Sequence, residues 1–134
     1  MEPLYIKATH KTPEIIFDPS RGVFDIKGKS IPENAEDFYK VILNWLDDYI
    51  VMPNEETVMT IDLEYFNISS SKRLLFVLYK LNELNEGNNS VRIKWMHNEE
   101  DEDMFEVGQD YAFMVKVPFD FISYAHEPVV SLVS

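Results

Sequence analysis

The sequence predicts a mixed α/β fold, in which one sheet has an antiparallel opening and a parallel remainder with helices packed against it. Two observations carry that prediction. Short β-branched or aromatic segments broken by turn residues come first, and strand-like and helix-like periodicities then alternate along the rest of the chain. A length of 134 residues suits a single domain, so residues 1–134 are read as one unit.

Leu4 to Ala8, Glu14 to Phe17 and Val23 to Lys27 read as the first three strands, punctuated by Pro13, Asp18-Pro19 and Arg21-Gly22. Asp18-Pro19-Ser20-Arg21-Gly22 is expected to turn a hairpin between the second and third. Phe38, Val41, Ile42, Trp45, Leu46 and Tyr49 then recur at spacings of three and four, the signature of an amphipathic helix. Asn34 is placed to cap that helix, with Glu36 and Asp37 in its first turn complementing the dipole.

Thr57 to Tyr65 is the clearest internal strand. Met59, Ile61, Leu63 and Tyr65 are expected to face inward, and Val58, Thr60, Asp62 and Glu64 outward. After Asn67 the period changes: Leu74, Leu75, Val77, Leu78, Leu81 and Leu84 fit a helix that stops near Gly87. Val91 to Met96 is a further strand. An acidic run then leads into a helix carrying Met104, Val107 and Tyr111, and Val117 to Tyr124 closes the series. Trp45, Leu46, Leu74, Leu78 and Leu81 are expected to be buried where two helices cover the sheet, with right-handed crossovers between parallel strands. The tail after Pro128 is given no role.

Charge narrows the partners. Twenty-four acidic against 12 basic side chains leave a formal net charge of −12, a surface that repels nucleic-acid phosphates and anionic lipid. No apolar stretch is long enough to span a bilayer, and Met1-Glu2-Pro3-Leu4 does not open like a secretory leader. With no cysteine there are neither disulfides nor thiolate chemistry. A cytoplasmic protein of bacterial type that binds neither nucleic acid nor membrane is expected; its acidity serves solubility or a basic protein partner.

Familiar catalytic patterns are missing from the sequence, which has no phosphate loop, no nucleophile elbow and no His-Glu-x-x-His pair. His10, His97 and His126 are scattered. Glu99 to Asp103 lacks the calcium-loop pattern, because Glu106 does not supply the glycine that loop needs, and it reads as a solvated helix start. Asp62 and Glu64 read as the exposed face of a strand. Neither a catalytic activity nor a cofactor or metal is expected.

The junction Tyr65-Phe66-Asn67-Ile68-Ser69-Ser70-Ser71-Lys72 stands apart. Three consecutive hydroxyls fall where a helix presents free N–H groups and the positive end of its dipole, a natural place for a phosphate. Serines there serve equally well as helix caps, and spacing is compatible with both roles.

At these residues the chain resembles the SiaC family of regulatory phosphoproteins across nearly all of its length. The resemblance rests on Thr12-Pro13, on Gly28-Lys29-Ser30-Ile31-Pro32-Glu33-Asn34 leading into a helix with Trp45-Leu46, on the Tyr65–Lys72 junction, and on Trp95 followed by Asp101-Glu102-Asp103-Met104. It implies a fold similar to STAS domains, with a phosphoacceptor hydroxyl at the start of the helix after a central strand. It also implies a non-catalytic role in partner switching. A serine/threonine kinase modifies the protein and a PP2C-like phosphatase restores it. The unmodified form engages a diguanylate cyclase, whose cyclic di-GMP promotes aggregation or biofilm formation. In the family pattern the acceptor is a threonine directly after the asparagine, and here that position is Ile68. Ser69 is the expected acceptor, being the nearest hydroxyl, with Ser70 second; Asn67, Ile68, Ser71 and Lys72 surround it. A plain binding or oligomerisation module without a switch is the competing reading.

Overall fold

A computed structural model describes residues 1–87 and 89–125. The elements follow one another as β1 (Leu4–Ile6), β2 (Glu14–Asp18), β3 (Val23–Ser30), α1 (Ala35–Tyr49), β4 (Glu56–Phe66), α2 (Ile68–Glu86), β5 (Ser90–Asn98), α3 (Glu102–Met114) and β6 (Phe119–Tyr124). Each strand and helix expected from periodicity is present, with ends that move by a few residues. His126 and the tail after Pro128 lie outside the described residues.

The six strands lie in the sheet in chain order. β1, β2 and β3 pair antiparallel, and β3 to β6 pair parallel. Three parallel connections stepping the same way put all their helices on one face of the sheet when each crosses over with the usual right hand. Burial agrees with this. Ile15, Phe17, Phe24, Ile26, Met59, Ile61, Ile93 and Trp95 are buried on the helix side, while Asp25, Lys27, Thr60, Arg92 and Lys94 occupy the alternate positions. The helices supply Tyr39, Ile42, Leu46, Leu74, Leu78 and Leu81, all fully buried.

Three side chains depart from the expected pattern. Val41 is half exposed, because the stripe that faces the sheet is Ala35, Tyr39, Ile42, Leu46 and Tyr49, and Val41 lies one residue off it. Trp45 is only partly buried: its ring stacks on Tyr49 at 5.2 Å, and its indole N–H reaches Glu2 O at 2.9 Å. Tyr65, expected inward, is 57% exposed. The β3–β4 register shifts between Gly28 and Lys29, so that Leu63 pairs with Gly28 but Tyr65 with Lys29, leaving Glu64 as the extra residue. Such a shift breaks the two-residue alternation beyond it. Gly28 adopts φ 125°, a conformation that only glycine takes without strain.

Candidate functional site

β4 carries the chain to the carboxyl edge of the sheet and delivers it into α2 through Asn67. That residue is extended (φ −84°, ψ 173°), and its side-chain oxygen accepts the Ser70 N–H at 2.9 Å. Asn67 is therefore the cap, and the serines are released from that duty. Asn67 N–H donates to Ser30 O at 3.0 Å, which ties the junction to the end of β3.

A helix turns about 100° per residue, so consecutive side chains at its start point in different directions. Ile68 is 89% exposed, and Ser69 and Lys72 are exposed beside it. Ser70 points the other way and is fully buried. The Ser30 hydroxyl donates to Ser70 Oγ at 2.8 Å and lies 2.6 Å from the Tyr39 hydroxyl, a polar thread joining β3, α1 and α2 inside the core. Burial pushes the Tyr39 phenol up to about 12. Ser71 is half buried and donates its hydroxyl to Ile68 O at 2.6 Å. On the far side the Tyr111 hydroxyl donates to Ser71 O at 2.7 Å, and burial raises that phenol too.

The structure thus separates hydroxyls that the sequence presents as equals. Ser69 faces outward, and Ser70, expected as the second acceptor, has its oxygen enclosed by Ser30 and the core.

Ser69, Lys72 and Arg73 line a groove of about 300 Å³ with Glu33, Asn34 and Glu36 from the amino end of α1. Arg73 and Glu36 approach to 3.8 Å across it. The Arg73 guanidinium lies 5.5 Å from the Phe76 ring centre and the Lys72 ammonium 5.9 Å from it, so both cations are gathered over one ring. The first turns of α1 and α3 carry acidic pairs, Glu36 with Asp37 and Glu102 with Asp103, whereas that of α2 carries none. Its positive end lacks a carboxylate of its own. The sequence marks Glu36 only as a first-turn residue of α1 and Ser30 only within the Gly28–Asn34 motif, and it gives no sign of Tyr39 or Arg73 at this site. Arg73 adjoins Lys72 and was within reach of a charge argument, but the others meet the serines only through tertiary packing.

Of the remaining candidates, Asp62, Glu64, Glu100 and Asp101 line one cleft with Tyr124, and neither His10 nor His97 joins them there. His97 is buried at the end of β5, with Nδ1 3.1 Å from Asn98 O, and His10 is exposed far away in sequence. Asp101 caps α3 by accepting the Met104 N–H at 3.0 Å, which accounts for the acidic run as a helix start. Asp62 accepts from the Tyr124 hydroxyl at 3.2 Å, and Glu64 approaches Lys29 at 3.9 Å. Among the described residues no group of three or more histidines and carboxylates converges as a metal site, and no helix is long and apolar enough to cross a membrane.

This geometry can be set beside known proteins. An uncharacterised protein of Pseudomonas aeruginosa strain UCBPP-PA14 is 27% identical over 127 residues, spanning 95% of this chain and 99% of its own. The structure of SiaC of Pseudomonas aeruginosa superimposes with a TM-score of 0.84 at 24% identity, covering 92% of this chain and 100% of that one. A chain in the crystal structure of diguanylate cyclase SiaD in complex with its activator SiaC, from the same organism, gives a TM-score of 0.85 at 25% identity, over 90% of this chain and 99% of that one. The family model for SiaC family regulatory phosphoproteins matches residues 6–124. With that match over most of its length, the chain belongs to the SiaC family of regulatory phosphoproteins.

Proposed function

We propose that this protein is a non-catalytic switch in which the unmodified form binds and activates a diguanylate cyclase, and that phosphorylation of Ser69 weakens that binding. A serine/threonine kinase transfers the γ-phosphoryl group of ATP to Ser69 Oγ, releasing ADP and the hydroxyl proton, and a PP2C-like phosphatase hydrolyses the ester. The output is cyclic di-GMP made by the partner in the cytoplasm. The observation that carries this reading is the exposed Ser69 at the start of α2, with the neighbouring Ser70 hydroxyl turned into the core. The effector class is supported by the relative that is crystallised as the activator of a cyclase.

The physical cause is charge and hydration. Phosphate adds nearly two negative charges and three acceptor oxygens at a surface that must be stripped of water when a partner docks. Ile68, 89% exposed beside it, offers apolar area that a partner gains by covering. A dianion next to that side chain opposes the desolvation on which association depends. The fold tolerates the group because the amino end of α2 favours negative charge.

Ile68 at the usual acceptor position supports the second reading, a constitutive binding module. Phosphosite mapping after treatment with the cognate kinase separates the two. The switch predicts stoichiometric phosphate on Ser69 and none on Ser69→Ala; a wild-type protein that takes up no phosphate leaves the constitutive module.

A further inference from the structure

We infer that the phosphate on Ser69 is received within this chain by Arg73, assisted by Lys72, and that Arg73 leaves Glu36 to do so. The inference rests on Ser69 being the modified residue and adds the group that reads the modification.

Three observations carry it. Ser69, Lys72 and Arg73 are spaced by three and four residues on α2 and line one groove, so the two cations stand one turn along the helix from the serine. Arg73 is held only loosely by its present partner: the contact to Glu36 is 3.8 Å, longer than a charge-assisted hydrogen bond, and the Glu36 side chain is 74% exposed. Lys72 forms no ion pair among the described residues, and both cationic groups sit over the Phe76 ring, close to each other on α2.

A phosphoserine dianion outcompetes a single solvated carboxylate for a guanidinium, because it carries more charge and matches the planar fork with two oxygens. The exchange has a structural consequence. Glu36 belongs to the first turn of α1, so the Arg73–Glu36 contact joins the amino ends of two helices. Once Arg73 turns to the phosphate, Glu36 and Glu33 face a dianion across the groove, and repulsion replaces attraction between α1 and α2 at that end. The modification is thereby relayed from one residue to a surface built from two helices.

The test installs phosphoserine at position 69 of the full-length protein by genetic code expansion, so that it depends on no kinase. Phosphorus NMR then follows the second ionisation of the phosphate, ordinarily near pH 6. Capture predicts an apparent value lowered by about half a unit or more, restored towards about 6 in the Lys72→Gln/Arg73→Gln double variant and partly lowered in Arg73→Lys. The Arg73 side-chain N–H resonance should also move and exchange more slowly on phosphorylation. An ionisation near pH 6 in both proteins with an unmoved Arg73 resonance overturns the inference. Titration of the same phosphorylated sample with the cyclase reports separately on the switch itself, since undiminished binding rejects that reading whether or not Arg73 holds the phosphate.

Discussion

The Ser30 hydroxyl donates to Ser70 Oγ across 2.8 Å, joining the last residue of β3 to the third residue of α2 in a fully buried setting. With Tyr39 2.6 Å from Ser30, this thread fixes the rotation of α2 about its axis, and that rotation sends Ser69 outward. Ser70→Ala leaves the Ser30 donor without its partner in the core and is expected to lower unfolding stability by about 1–3 kcal/mol. Ser70→Asp buries a charge with no cation placed to meet it and should cost more. Urea unfolding of the two variants checks the order; an aspartate variant as stable as wild type would mean that the side chain swings out to water.

Leu78 is fully buried in the middle of α2, within the hydrophobic core. Truncation to alanine should remove about 2–5 kcal/mol. A loss under about half a kcal/mol by equilibrium denaturation would place that helix face in solvent.

Gly108 in α3 lies against the Trp95 indole, whose N–H donates to Met104 O at 3.0 Å. A Cβ at position 108 would come within 2.5 Å of the indole nitrogen and 2.6 Å of its Cδ1. Gly108→Ala must therefore displace either the ring or the helix, and despite alanine's better helix propensity it should destabilise by about 1–3 kcal/mol. Near-ultraviolet circular dichroism and tryptophan fluorescence, together with a melting curve, would register the displaced ring; an unchanged melting temperature would contradict the close packing.

The Tyr39 phenol, pushed up to about 12 by burial, sets an alkaline limit. The folded protein keeps this proton above the ordinary value of 10.0, so the contribution is complete below pH 10 and is lost as pH rises through about 12. A displacement of that size corresponds to a loss on the order of 3 kcal/mol across the interval. Tyr39→Phe should make the fall in stability between pH 10 and about 12 shallower, the raised phenols of Tyr111 and Tyr124 still contributing to it, and urea titrations with equal slopes for wild type and variant would contradict the assignment.

Local signals in the sequence were sufficient for much of this fold. Asn34 and Asp101 mark helix starts by type and position, Gly87 follows the end of α2, and the alternation from Met59 to Leu63 marks the central strand. Tyr65 escapes the pattern because a register shift depends on how β3 and β4 pair, which no single segment encodes. Val41 passes for a core residue because the apolar pattern on α1 is wider than the stripe that meets the sheet.

The site was legible as a location and not as an arrangement. Three adjacent serines are chemically alike in sequence, and only a residue 40 positions away distinguishes them, Ser30 holding Ser70 inward. The pairing of Arg73 with Glu36 likewise depends on α1 and α2 lying side by side, which long-range packing decides.

Phosphate on Ser69 is proposed to control effector affinity. Calorimetric titration of a cognate diguanylate cyclase with unmodified and Ser69-phosphorylated protein measures this directly. Binding is expected to weaken at least about tenfold with the phosphate, equivalent to about 1.4 kcal/mol, with Ser69→Ala retaining the unmodified affinity after kinase treatment. Equal affinities for the two forms would contradict it.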